Sequence, residues 1–381
     1  MMNTPICEMF GIEFPLLAFT HCRDVVVAVS KAGGMGVFGA AGLTPSQLEE
    51  ELAWIDAHVD GKPYGVDLIV PNKVEGKGET ISPEDMLGRL PEQHKTFAHN
   101  LLAAYDVDES GLDELRVRQL TFSDNLRGAG TNAMLDVAFR HPIRLIANAL
   151  GVPPRAMLEQ GRAHGVAVAA LVGAKEHALA QVAAGVDLLI VAGGEAGGHC
   201  GDVATMVLVP EVCRALEAAG VNTPVLAAGG IATGAQMAAA MAMGAAGAWC
   251  GSVWLTTSEA ETNPVVKEKM LAASSRDTVR SRSRTGKPSR QLRSPWTDAW
   301  EAESAPKPLP MPLQSFISEP ALRKVDKLSQ SDHTGAKALA TYWVGQAVGL
   351  MNQSMSAGQV VQDFKEDFLR AHERLNRALG A

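Results

Sequence analysis

The chain has 381 residues, of which 46% are hydrophobic and 20% charged, and 34 Lys+Arg against 42 Asp+Glu leave a formal charge of −8. That composition excludes a disordered chain, which could not bury a core. The acidic balance excludes a general nucleic-acid binder, which needs a basic face.

Met1–Phe10 lacks a basic stretch followed by an apolar one, and no run of 18 apolar residues occurs, so a soluble cytoplasmic protein with no membrane partner is expected. The five cysteines, Cys7, Cys22, Cys200, Cys213 and Cys250, form no CxxC pair. Reduced thiols and no metal are expected.

Short apolar runs alternate with Ala-rich helical stretches. The runs are Pro15–Thr20, Gly36–Ala40, Tyr64–Val70, Ile143–Leu150, Val166–Val172, Asp187–Ala192, Pro224–Ala228 and Gly247–Gly251. Helices are expected at Arg23–Ala32, Pro45–His58, Arg155–His164, Lys175–Ala184, Pro210–Ala219 and Gly234–Met243. Continuous apolar runs suit parallel strands buried on both faces. Eight βα units predict an α/β fold, a (β/α)8 TIM barrel, over residues 1–255.

Two regions break the rhythm. Residues 72–140 read as a helical insertion after the third strand, with helices at Glu84–Leu90, Gln93–Ala104 and Asp113–Leu120. Residues 256–334 read as a substrate or lid segment. Within it, Arg276, Arg280, Arg282, Arg284, Lys287, Arg290 and Arg293 crowd a stretch that is expected to be solvated or anion-facing, at the substrate or a subunit contact. Residues 335–381 read as helices packing back on the barrel, the last of them amphipathic with Phe364, Phe368 and Leu369 on one face.

The chemistry concentrates in three glycine clusters. The segment from Val191 to Asp202 follows a buried strand, so it lies on the C-terminal face of a barrel, where catalytic loops sit. Gly193, Gly194, Gly197 and Gly198 let the backbone approach a flat or anionic ligand, and His199 is an imidazole suited to general base catalysis. The plainer alternative is a tight turn with an incidental histidine. A metal held by His199 and Asp202 would need a third ligand that the spacing does not supply. Gly229 and Gly230 end the seventh run, and Gly251 and Ser252 end the eighth. Glycines in those two loops form the usual phosphate site of such barrels. Asn148, at the end of the fourth run, is a candidate substrate contact. The thiols, Trp249 and Trp254, and Met237, Met241 and Met243 read as packing groups.

The strings GGEAGGHCGD, TMVLVPEV, PVLAAGGIATG, MGAAGAWCGS, TGKPSRQLRSPWTDAW, PMPLQ and YWVGQAVGL resemble the nitronate monooxygenase family, formerly 2-nitropropane dioxygenases. FMN-dependent enoyl-acyl-carrier-protein reductases share the glycine–histidine motif. The resemblance covers the barrel strands and the C-terminal third. It implies FMN as cofactor, with its phosphate on the amides of Gly229, Gly230, Gly251 and Ser252. It places the flavin ring against Ala18, Phe19 and Thr20 and near Gly197 and Gly198. His199 matches the family's active-site histidine. The implied reaction takes an alkyl nitronate and O2 to a carbonyl compound and nitrite. An FMN-dependent NAD(P)H ene reductase and a non-redox barrel for a phosphorylated ligand are the competing readings.

The chain departs from the family at three places. Ala192 stands where a Gln is common, Asp67 replaces the Asn of a GVN string, and Phe19-Thr20-His21-Cys22-Arg23 replaces a Pro-Met loop. His21 is accordingly a candidate substrate contact and Asp67 a candidate cofactor contact. A small-molecule substrate and O2 are the expected partners, with a homodimer as the expected assembly if the chain self-associates.

Overall fold

The computed structural model describes residues 2–70, 83–117 and 128–380. In chain order the first strands are β1 (Leu16–Thr20), β2 (Met35–Gly39), β3 (Tyr64–Leu68), β4 (Leu145–Asn148), β5 (Ala167–Val172) and β6 (Leu188–Ala192). A two-residue strand, β7 (Gly198–His199), precedes β8 (Val225–Ala228) and β9 (Gly247–Cys250). Strands β1 to β6, β8 and β9 close into a parallel barrel. Closure pairs Leu16 with Ala248, Leu17 with Trp249 and Ala18 with Cys250. Each of the eight apolar runs therefore holds one barrel strand.

Alternation along each strand sorts side chains between two buried layers. Leu17, Val37, Leu145, Ile190, Leu226 and Trp249 belong to one cluster inside the barrel. Leu16, Phe38, Ile146, Leu189 and Val191 belong to another, between strands and helices. Both faces are dry, which is why the runs read as continuously apolar.

The structure adds features not expected from the sequence. A short helix at Pro5–Phe10, capped by the Thr4 hydroxyl 3.2 Å from the Cys7 N–H, adds Ile6, Cys7 and Phe10 to the inner cluster. It stoppers the barrel end opposite the catalytic face. A further helix at Gly128–Ala138 packs on Pro45–His58. The basic segment forms an antiparallel hairpin of β10 (Thr278–Ser281) and β11 (Ser289–Leu292), and β7 pairs with β11 as a third strand.

The insertion carries helices at Pro83–Gly88 and Glu92–Ala103 and a helical stretch at 112–117; positions 118–120 of the expected Asp113–Leu120 helix lie outside the described residues. It docks on the later segment. His94 Nε2 lies 2.9 Å from Lys307 O, Phe97 meets Trp300 edge-on at 4.7 Å, and buried Arg116 donates to Phe316 O at 3.3 Å. The last helix, Ala357–Leu379, returns to the barrel and packs between Gly234–Ala242 and Arg23–Lys31. Contact there is close: a Cβ on Gly234 would fall 2.0 Å from Phe364 O. This helix therefore fills the outer-layer place that follows the last strand, and residues 251–356 are spliced in ahead of it.

Candidate active site

The loop after β6 carries the Gly-rich segment and is pinned from three sides. Glu195 Oε2 accepts from the Thr205 backbone N–H at 2.8 Å and lies 2.9 Å from the Thr205 hydroxyl. Thr205 opens the helix Thr205–Ala218, so a carboxylate sits on the positive end of that helix. Arg290, on β11, donates Nε and Nη2 to Gly194 O at 3.0 and 2.8 Å. Gln346 N donates to Glu195 O at 2.9 Å, which ties the loop to the C-terminal region.

Two glycines make this seam closable. A Cβ on Gly193 would lie 2.2 Å from Thr205 Oγ1, and one on Gly229 would lie 2.9 Å from the same atom. Gly229 also holds φ at 94°, where a side chain is strained. Thr205 Oγ1 lies 2.9 Å from Gly229 O, so one hydroxyl joins the loops after β6 and β8. Gly193, expected to touch a cofactor, donates its N–H to Ala228 O at 3.1 Å and is buried, so its part is to close this seam.

Beyond the seam, the loops after β8 and β9 carry free backbone donors. No described residue accepts from the N–H groups of Gly229, Gly230, Gly251 or Ser252. All four are only partly buried. Gln236 shapes the first of these loops: its Nε2 donates to Gly230 O at 2.7 Å and its Oε1 accepts from Ala232 N at 2.9 Å. Ser252 Oγ accepts from Gly345 N at 2.8 Å, so its side chain anchors the C-terminal region while its amide stays available. Unpaired N–H groups in these two loops at the C-terminal end of a barrel suit an anion such as phosphate.

The facing wall comes from β1, β2 and β3. Phe19 points into the barrel mouth, stacked on Trp249 at 6.0 Å and edge-on to His21 at 5.1 Å. Ala18 and Thr20 alternate with it and turn outward; Ala18 joins the outer core, and Thr20 Oγ1 accepts from Cys22 N at 3.1 Å. These two offer a ligand backbone alone. His21 Nδ1 lies 2.7 Å from Gly39 O. A carbonyl only accepts, so Nδ1 carries the proton and Nε2 is a bare acceptor. The ring has open surface yet is enclosed by protein, as a cavity wall is, and this burial holds its pKa below the ordinary histidine value.

Asp67 lies on the same wall, at the end of β3. It is 5% exposed, and no described residue bonds its carboxyl. Burial pushes its pKa up to about 8, so it is a neutral acid at pH 7. A protonated carboxyl offers one donor and one acceptor, the same pair that the family's Asn supplies.

His199 stands at the rim on β7, opposite Ser289 of β11. Its Nε2 is 2.8 Å from Thr285 Oγ1. One face of the ring is open, but surrounding protein lowers its pKa, and the charges of Lys287 and Arg284 lower it further. Neutral imidazole is thereby favoured. Gly197 and Gly198 precede it, and Gly198 takes a left-handed φ of 75° where β7 begins.

Asn148 does not sit where a substrate contact was expected. It is fully buried; Oδ1 accepts from Val70 N at 2.9 Å, and Nδ2 donates to Leu150 O at 3.0 Å and Gly151 O at 3.2 Å. It braces the turns after β3 and β4. The basic hairpin is solvated only in part: Arg276, Arg282, Lys287 and Arg293 are exposed, and the other three basic side chains are engaged by the protein. Arg290 holds Gly194, Arg280 donates to Cys200 O at 3.4 Å and pairs with Asp202, and buried Arg284 pairs with Glu319 at 2.7 Å under the Trp343 ring. Glu195, Thr205 and Thr285 were missed because their partners are distant in sequence. The five cysteines are free; Cys22 donates to Glu259 O at 3.0 Å, and burial raises the Cys250 thiol far above its usual pKa.

A sequence model of the nitronate monooxygenase family matches residues 3–367. A protein of Mycobacterium tuberculosis that carries a monooxygenase name is 52% identical over 373 residues, 97% of each chain. Among solved structures, a nitroalkane oxidase from Streptomyces ansochromogenes is 24% identical with a TM-score of 0.76, covering 97% of this chain and 99% of that one. A FabK variant from Thermotoga maritima is 25% identical with a TM-score of 0.70, covering 99% of this chain and all of the other. Among the described residues, no helix is long and apolar enough to cross a membrane.

Proposed function

The chain belongs to the nitronate monooxygenase family and is an oxidoreductase, and from that premise we propose that it oxidises an alkyl nitronate, or a related stabilised carbanion, with O2. The products are a carbonyl compound and nitrite, and the cofactor is FMN. Bound FMN supplies the electron acceptor for the carbanion. The rest is the work of the chain's own residues.

The N–H groups of Gly229, Gly230, Gly251 and Ser252 hold the phosphate, and Glu195 with Thr205 keeps their loop in place. Phe19 gives the ring an apolar wall. His21 Nε2 would be an acceptor for the bound ring, and the neutral Asp67 carboxyl would offer it one donor and one acceptor. Ionised Asp67 would repel an anionic substrate, so its protonated state suits this reading. His199 faces the reacting end. As a neutral imidazole it takes the α-proton of a neutral nitroalkane; with a proton in place it holds the nitro oxygens of a nitronate.

The observation that carries the reading is that four unpaired backbone amides, in the loops after β8 and β9, accompany a histidine on the loop after β6 at the same end of the barrel. Oxygen uptake with propyl nitronate, coupled to nitrite release and to a flavin spectrum in the purified protein, is the expected result. A colourless protein that consumes no oxygen with propyl nitronate overturns it.

A further inference from the structure

Thr285 is buried in the middle of the turn between β10 and β11, and its hydroxyl is shared three ways. Oγ1 lies 2.8 Å from His199 Nε2, accepts from Lys287 N at 3.3 Å and lies 3.3 Å from Lys287 O. No described residue bonds His199 Nδ1. We propose that Thr285 is a positioning residue that governs which ring nitrogen of His199 carries the proton, and that Nδ1 is the nitrogen presented to substrate.

A hydroxyl has one proton and two lone pairs. One lone pair of Thr285 is taken by the Lys287 N–H, which leaves two arrangements. In the first, the hydroxyl donates to Nε2, and Nδ1 carries the ring proton outward, ready to bond an anionic oxygen. In the second, the hydroxyl turns to Lys287 O, and Nε2–H donates to Oγ1. Nδ1 is then bare and can act as a base. The imidazolium is satisfied by the second arrangement alone. The 2.8 Å separation accommodates both O–H···N and N–H···O, so Thr285 can serve either tautomer. The switch between them needs rotation of one hydroxyl together with loss of the Nδ1 proton to solvent and uptake of one at Nε2, with no movement of backbone.

When Nδ1 takes the α-proton of a neutral nitroalkane, the C–H bond breaks and its electron pair stays on the substrate as nitronate. The proton resides on Nδ1, and Nε2–H donates to Thr285. Valine cannot accept that bond; serine can. The charged and titratable neighbours of His199 are Lys287 and Arg284 on the hairpin turn, Arg280 and Arg290 on the hairpin strands, and Cys200 and Asp202 on its own loop. Asp202 is engaged by Arg280. None of them bonds Nε2, so the tautomer rests on Thr285.

The kinetic part of this inference rests on the proposed nitronate chemistry; the ring's protonation does not. Full-length wild type, Thr285→Val, Thr285→Ala and Thr285→Ser are labelled with 15N-histidine, and the His199 ring shifts are followed against pH. Each is also assayed with a neutral nitroalkane and with the preformed nitronate. In Val and Ala the ring pKa is expected to fall by about one unit, because the imidazolium loses its acceptor. Their kcat/KM on the neutral substrate is expected to fall about tenfold or more, with nitronate turnover within about twofold. Ser is expected to match the wild type. Unchanged ring shifts and pKa in Val or Ala, or a Ser variant as impaired as Val, overturn the assignment. Absence of turnover in the wild type counts against the nitronate chemistry alone, since the ring titration still decides the role of Thr285.

Discussion

Glu195 and Thr205 are locked together by a single carboxylate oxygen that lies 2.8 Å from the Thr205 amide nitrogen and 2.9 Å from its hydroxyl. Thr205 in turn touches Gly229 O at 2.9 Å, so the clamp joins the histidine loop to the loop after β8. Removing the carboxylate leaves the Thr205 amide short of a partner, while the hydroxyl keeps Gly229 O as an acceptor. Glu195→Ala is expected to lower stability by about 1–3 kcal/mol and to weaken flavin retention about tenfold. Urea unfolding and the fluorescence of released flavin measure the two effects. Wild-type values in both would show that the loop is held by Arg290 and Gln346 without the clamp.

Gly229→Val tests the free amides themselves. The residue holds φ at 94°, and a Cβ would lie 2.9 Å from Thr205 Oγ1 and 3.0 Å from Gly193 N. The left-handed backbone alone costs a branched residue about 1–2 kcal/mol, and the crowding pushes the loop off its position. The expected protein is folded but nearly free of flavin when purified. Full flavin occupancy would contradict the phosphate assignment.

Asp67 makes stability depend on pH in a direction opposite to that of most carboxylates. Its folded pKa of about 8 lies above the unfolded value, so the folded state keeps a proton that the unfolded state releases. The stabilising contribution is complete below pH 4 and is lost as pH rises towards 8, at about 1.4 kcal/mol per pH unit. Asp67→Asn removes this slope. Denaturant midpoints of the two proteins are expected to diverge steadily from pH 5 to pH 8, with the Asn form the more stable at the top. Parallel curves would mean that Asp67 is ionised in the folded protein.

His199 has a lowered pKa, so its base form persists below the ordinary histidine range. The kcat/KM for a neutral nitroalkane is expected to hold its plateau down past pH 6.5 and then fall on one acidic limb. His199→Asn keeps flavin and loses about 100-fold or more in this rate. Lys287→Ala removes a neighbouring positive charge, so the limb moves to higher pH. Movement of the limb to lower pH in Lys287→Ala would contradict the electrostatic cause.

The barrel was legible because its strands are buried on both faces. Runs such as Leu16–Thr20 and Leu188–Ala192 carry an apolar signal that owes nothing to distant partners. The hairpin was not legible. Thr278–Ser281 and Ser289–Leu292 carry few apolar residues, because their buried places are filled mostly by polar side chains such as Ser281, Ser289 and Gln291. The same holds within the site. His199, Gly229 and Gly251 stand in glycine-rich strings whose spacing already suggests a ligand. Glu195 is an ordinary acid in sequence, and its role exists only because the chain brings Thr205 beneath it. Asn148 looked available at a strand end, yet its amide is consumed by backbone from Val70, Leu150 and Gly151.

The central claim, a flavin site that oxidises nitronate, is tested most directly by anaerobic titration of the purified protein followed through its visible spectrum, first with propyl nitronate and separately with NADPH. The expected result is loss of flavin absorbance with nitronate, none with NADPH, and recovery with nitrite release when O2 is admitted. Loss of absorbance with NADPH alone would contradict the claim and assign the site to reduction of an activated double bond.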